Sequence, residues 1–105
     1  MARPRPPAAR DQTLRQALLD ALRAGPATAR DLSGLVGISE KDVPAHLEHL
    51  RRSLRHSAER LAVEPASCSA CGYTFSDRRK LTRPSACPAC RAQRIEPPVF
   101  HVEAA

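Results

Sequence analysis

Every cysteine of the chain falls in one stretch, CSACGYTFSDRRKLTRPSACPAC, which begins at Cys68 and ends at Cys90. Cys68 and Cys71 form one C-x2-C pair, Cys87 and Cys90 a second, and fifteen residues separate the pairs. Two residues between cysteines let a tight turn aim both sulfurs at one point. Two such turns complete a tetrahedron of thiolates at about 2.3 Å from a zinc ion. Gly72 supplies a residue free to take positive φ where the first turn closes, and Pro88 stiffens the second. Four sulfurs leave no coordination position for a reacting water, so the expected Zn2+ is structural rather than catalytic. The opening residues MARPRPPAAR are basic without an apolar core, unlike a secretory signal, and a reducing cytosol disfavours two disulfides. A thioredoxin-type site needs one C-x-x-C pair in a βαβ setting, not two pairs.

Little else in the chain offers chemistry. It has no cysteine outside the cluster, no Gly-rich phosphate loop and no carboxylate pair in a recognisable motif. The expectation is therefore no enzyme and no small-molecule substrate. His46 and His49 stand three apart on a predicted helix with no obvious carboxylate partner, and are read as packing or surface histidines. No apolar run approaches the roughly 20 residues of a bilayer span. The expected location is the cytoplasm, with no membrane contact.

The elements that must position the cysteines are read from hydrophobic period. The chain has 105 residues, and its aromatic residues are Tyr73, Phe75 and Phe100. Burial alone is weak at this size, which suits a metal staple. DQTLRQALLDALRAG places Leu14, Ala17, Leu18, Ala21 and Leu22 on one helical stripe that Gly25 and Pro26 end. Thr28 and Asp31 form a capping box for a second helix with Ala29, Leu32, Leu35 and Val36 on its buried side. After a turn at Gly37 and Ile38, Ser39 and Asp42 are read as the cap of a third helix, with Val43, Leu47, Leu50 and Leu54 as its stripe. RLAVEP (60–65) sets Leu61 and Val63 opposite Ala62 and Glu64. PVFHVE (98–103) sets Phe100 and Val102 opposite Val99, His101 and Glu103. Two such strands flanking the cysteines are expected to pair antiparallel.

The cysteine segment, over about 67–95, resembles zinc ribbons. Cys68, Cys71, Gly72, Tyr73, Cys87, Pro88 and Cys90 also fit rubredoxins, which hold iron in four thiolates. ARDLSGLVGISEKDVPAHLEHL (29–50) is similar to the DNA-binding core of winged-helix bacterial and archaeal regulators at Leu32, Gly37, Ile38, Ser39, Val43, His46, Leu47 and Leu50. From residue 11 onward, the chain resembles a group of predicted transcriptional regulators in which a winged helix-turn-helix is joined to a zinc ribbon. The resemblance implies an α+β fold: three helices plus a β-hairpin wing, with the ribbon inserted in the wing. The expected organisation is a disordered basic, Pro-rich arm over 1–10, a winged helix-turn-helix over 11–66 completed by a strand at 97–103, and a ribbon over 67–95.

Charge then suggests a partner. The net charge is +6. Arg3, Arg5 and Arg10 lie in the arm, and RRSLR (51–55) forms a patch at the end of the third helix. The ribbon carries Arg78, Arg79, Lys80, Arg83, Arg91 and Arg94 against Asp77 alone. Such a stripe suits phosphate backbones, whereas the rubredoxin electron carriers are typically acidic. Ser39, Lys41, Glu48, Arg51, Arg52, Arg55, Arg78, Arg79, Lys80 and Arg83 are the candidate nucleic-acid contacts. Glu48 repels phosphate unless it accepts from a cytosine amine, and Pro44 and Ala45 have no side chain that hydrogen-bonds a base edge. The leading expectation is a DNA-binding transcriptional regulator, with room for a homodimer. The alternatives are a zinc-ribbon adaptor on transcription or translation machinery and a rubredoxin-like iron electron carrier.

Overall fold

The computed structural model describes residues 7–105, with side chains from Thr13 onward. Three helices, α1 (Pro7–Ala24), α2 (Ala29–Val36) and α3 (Val43–Ser53), are followed by strands β1 (Glu59–Glu64), β2 (Ser67–Cys68), β3 (Ile95–Glu96) and β4 (Val99–Ala104). The architecture is α+β, with small antiparallel sheets. No helix among the described residues is long and apolar enough to cross a membrane. Helix α1 begins at Pro7, earlier than the sequence reading placed it. Proline suits a first helical position because the amide it lacks has no partner there. Residues 7–10 of the expected arm are thus helical, and Arg3 and Arg5 lie outside the described residues.

Local chemistry explains most boundaries. The Thr28 hydroxyl accepts from the Asp31 amide, and the Asp31 carboxylate accepts from the Thr28 amide, closing the capping box of α2. That bond to the Thr28 amide is the first reason the Asp31 carboxyl titrates below its ordinary range. Gly37 ends α2 at φ 80, a left-handed conformation that glycine adopts without steric cost.

The start of α3 differs from the expectation. Glu40–Asp42 form a 3-10 turn, the α-helix begins at Val43, and the Ser39 hydroxyl makes no capping bond. Pro44 is the reason. In a helix starting at Glu40, its ring would clash with the Glu40 carbonyl and leave it without a donor; in a helix starting at Val43, Pro44 sits where no amide is needed.

Leu18, Leu22, Leu32, Val43, Leu47, Leu50 and Phe100 are each at most 2 % exposed and form one core between the helices and β4. Leu54 and Leu61 close it. Leu35 is a correction: it is 69 % exposed, not on the buried side of α2. At about 100° per residue, Ala29 and Val36 lie on one side of Leu32 and Leu35 on the other. Only the first side meets α1 and α3. Ala17 is likewise exposed, so the α1 stripe narrows to Leu18 and Leu22 with Ala21 and Leu19 beside them.

Strands β1 and β4 pair antiparallel, with Leu61 opposite Val102 and Val63 opposite Phe100 on the core side. On the outer side Arg60 bonds Glu103 across the ladder at 2.8 Å. Strands β2 and β3 continue the same register, with Ser67 opposite Glu96 and Cys68 opposite Ile95. The intervening positions are Pro65 and Ala66 facing Pro98 and Pro97, and three prolines among four residues remove the donors a continuous ladder needs. One hairpin therefore runs from the helices to the cysteines, broken but not shifted. Ala27, between α1 and α2, bridges to Phe100 through a backbone pair of 2.8 and 2.9 Å, so β4 is flanked on both sides. Arg23 of α1 also clasps Glu59 at the start of β1.

Candidate metal centre

The tip of the hairpin folds into two turns of the same design. The Cys68 carbonyl accepts from the Gly72 amide at 2.8 Å, and the Cys68 amide donates to the Tyr73 carbonyl at 2.8 Å. In the second turn the Cys87 carbonyl accepts from the Arg91 amide at 2.8 Å, and the Cys87 amide donates to the Ala92 carbonyl at 2.9 Å. Both turns close on a left-handed residue: Gly72 at φ 84 and Arg91 at φ 63. A small core of Ala66, Cys68, Cys87 and Ile95 supports them, with Phe75 and Ala92 packed alongside. Tyr73 meets Phe75 edge to face at 5.0 Å.

The turns bring four sulfurs together. Cys68 Sγ lies 3.6 Å from Cys90 Sγ, and Cys71 Sγ lies 3.6 Å from Cys87 Sγ. All four are within 4.8 Å of one another. A tetrahedron with bonds of 2.3 Å has edges of about 3.8 Å, so the cluster is close to the spacing that a tetrathiolate zinc ion requires. Cys68 and Cys87 are buried, and Cys71 and Cys90 form the exposed rim.

As thiols, Cys71 and Cys87 are shifted in opposite directions. The Tyr73 amide favours the Cys71 thiolate, but hydrogen bonding with Cys90, burial, Cys87 and Cys68 outweigh it, and Cys71 is pushed up to about 12. Burial opposes the Cys87 thiolate, yet the Cys90 and Ala89 amides and the neighbouring thiols draw it down to about 7. A divalent cation reverses such mutual opposition, because each thiolate then faces two positive charges.

The symmetry of the turns predicts an asymmetry in tolerance. Nothing lies within 4 Å of a Cβ placed on Gly72, so Gly72→Ala is resisted only by its left-handed backbone. That conformation costs an L-residue about 1–2 kcal/mol, which is roughly tenfold in zinc affinity. Arg91→Gly removes the same strain and is expected to hold zinc at least as tightly as the natural chain. Competition with a chromophoric chelator measures both. Equal affinities for all three proteins would contradict this account of the turns.

The other sequence-derived candidates are distributed more widely. Ser39 and Lys41 lie on the turn before α3, Arg52 and Arg55 are exposed at its far end, and Arg79, Lys80 and Arg83 are exposed on the ribbon loop. Two candidates are already engaged. Arg51 grips the Glu48 carboxylate one turn back on α3, so their charges offset and Glu48 is not a free acceptor for a base. Arg78 donates to the Thr82 carbonyl at 3.1 Å and to its hydroxyl at 2.8 Å, closing the loop that contains Leu81.

Leu81 was not among the residues expected to matter. It is 4 % exposed and belongs to the helical core rather than to the ribbon's own. The ribbon loop is thus pinned to the helices by one side chain. The signal in the sequence was a lone leucine between RRK and TR, out of keeping with a solvated basic loop.

Comparison with known proteins divides the chain near the end of β1 and groups β4 with the ribbon. Residues 13–62 match the model of the PF0610-like N-terminal domain, and residues 65–105 match that of the PF0610 rubredoxin-like zinc β-ribbon domain. The solution NMR structure of protein PF0610 from Pyrococcus furiosus is similar over 100 % of this chain and 98 % of that one, with a TM-score of 0.76 at 24 % identity, and so shares its fold. None of the curated proteins matches the chain. The four cysteines accordingly form a zinc-binding site, and the chain is similar to a PF0610-like N-terminal domain followed by a rubredoxin-like zinc β-ribbon.

Proposed function

We propose that the protein is a DNA-binding transcriptional regulator. In this reading α2, the Gly37 turn and α3 form a helix-turn-helix, the β1–β4 hairpin is its wing, and the zinc ribbon replaces the wing's tip. The observation that carries it is the return of the hairpin onto the helices. Phe100 is buried in the core that the helices share while its backbone pairs with Ala27 between the first two helices. That arrangement holds α3 and the ribbon loop in a fixed relation, with the cations of both exposed.

The chemistry favours backbone contacts over base reading. Pro44 and Ala45 stand near the start of α3, and Glu48 is occupied by Arg51. Lys41, Arg52, Arg55, Arg79, Lys80 and Arg83 are exposed, and none forms an ion pair among the described residues. Contacts from these six should give a log affinity for duplex DNA that falls against log salt with a slope of about −5. Fluorescence anisotropy of a labelled duplex over a salt series tests this. A chain that binds no duplex even at low salt would move the reading to an adaptor whose basic loop meets an acidic protein surface.

A further inference from the structure

A cleft of about 810 Å³ lies between the helical domain and the ribbon loop. Its lining includes Arg30 from α2, Ser39, Glu40 and Lys41 from the turn before α3, and Leu81 and Arg83 from the ribbon loop. Three cations from three separate parts of the chain thus face one space that holds a single carboxylate. None of the three forms an ion pair among the described residues. Arg30 acts on Asp31 only through space, and Asp31 is committed to the Thr28 amide. The Ser39 hydroxyl, free of any capping bond, adds a donor.

We infer that this cleft is the track for the phosphodiester backbone of one DNA strand, with the start of α3 as one wall and the ribbon loop as the other. The inference rests on the DNA-binding reading and names where the backbone runs. Cations drawn together without carboxylate partners repel one another, and a polyanion relieves that repulsion while releasing its own counterions. The exposed cations Arg79 and Lys80 directly precede Leu81 in the same loop and add to its positive charge. The second wall exists because Leu81 is seated in the helical core. The ribbon therefore contributes to binding by completing a groove rather than by acting as a separate module.

The test uses the zinc-loaded full chain and a short labelled duplex. Arg30→Glu/Arg83→Glu is compared with Arg94→Glu, which reverses an exposed ribbon charge outside the cleft. Zinc content and helical circular dichroism report that each variant is folded. The double variant is expected to weaken binding and to reduce the salt slope by about two units. Arg94→Glu is expected to change the slope little. If the double variant binds duplex with an unchanged slope, the backbone runs elsewhere and the inference fails while the DNA-binding reading stands. If the natural chain binds no duplex at low salt, both fail. ATP serves as a free-phosphate probe. Binding of ATP that Arg30→Glu/Arg83→Glu abolishes and excess duplex does not displace would overturn the inference in favour of a small-molecule site.

Discussion

Cys71→Ser is expected to release the zinc and unfold the hairpin tip from about residue 66 to residue 96. Structural zinc contributes on the order of 10 kcal/mol to the folding of small modules. The ribbon has little to replace it: its own core is Ala66, Cys68, Cys87 and Ile95, and two of those four are ligands. The effect does not stop at the tip. With the loop freed, Leu81 leaves the helical core, and removal of a buried leucine side chain costs about 2–5 kcal/mol. The helices keep Leu18, Leu22, Leu32, Val43, Leu47 and Leu50 and should remain folded, with a lowered melting temperature. Native mass spectrometry reads the metal, and circular dichroism at 222 nm reads the helices. A metal-free variant with the natural melting profile would contradict the staple. Loss of all helical signal together with the metal would contradict a helical core that stands without it.

Phe100→Ala should be more damaging to the helices than loss of zinc. Phe100 is fully buried, and its strand is held by Val63 on one side and Ala27 on the other. Truncation of a buried phenylalanine costs about 3–5 kcal/mol, against a total stability of about 5–15 kcal/mol for an ordinary domain. A chain this small is at the lower end of that range, so the variant is expected to be largely unfolded at 37 °C even with zinc present. Val102→Ala, on the same face but only half-buried, is the control and should melt far closer to the natural chain. Equal melting temperatures for Phe100→Ala and the natural protein would remove the hairpin from the core of the account.

The cysteine cluster was legible because its geometry is local: two residues inside each pair and a φ-permissive Gly72 after the first. The β1–β4 pairing was legible from its period of two, since Leu61 and Val63 could meet only Phe100 and Val102. What the sequence hid was set at a distance. Pro44 moved the start of α3 past Ser39, because a ring clash outweighs a cap. Leu35 fell outside the buried face because α2 meets neighbours on one side of Leu32 only. Leu81 showed no periodic pattern; its burial depends on where the hairpin tip folds back. The cleft with Arg30 follows from Leu81 and was hidden with it. Arg91 took the left-handed place that glycine fills in the first turn, which spacing alone does not reveal.

The central claim is that α3 and the zinc-held loop form one surface for DNA. Its most direct measurement is an amide NMR titration of the zinc-loaded chain with a short duplex at low salt. The account predicts shifts that grow together at Arg30, at Ser39–Lys41, at Arg52 and Arg55 and at Arg79–Arg83, with the outer edge of β1 unchanged. Shifts confined to the surface around the exposed Leu35, or none at all, would contradict it.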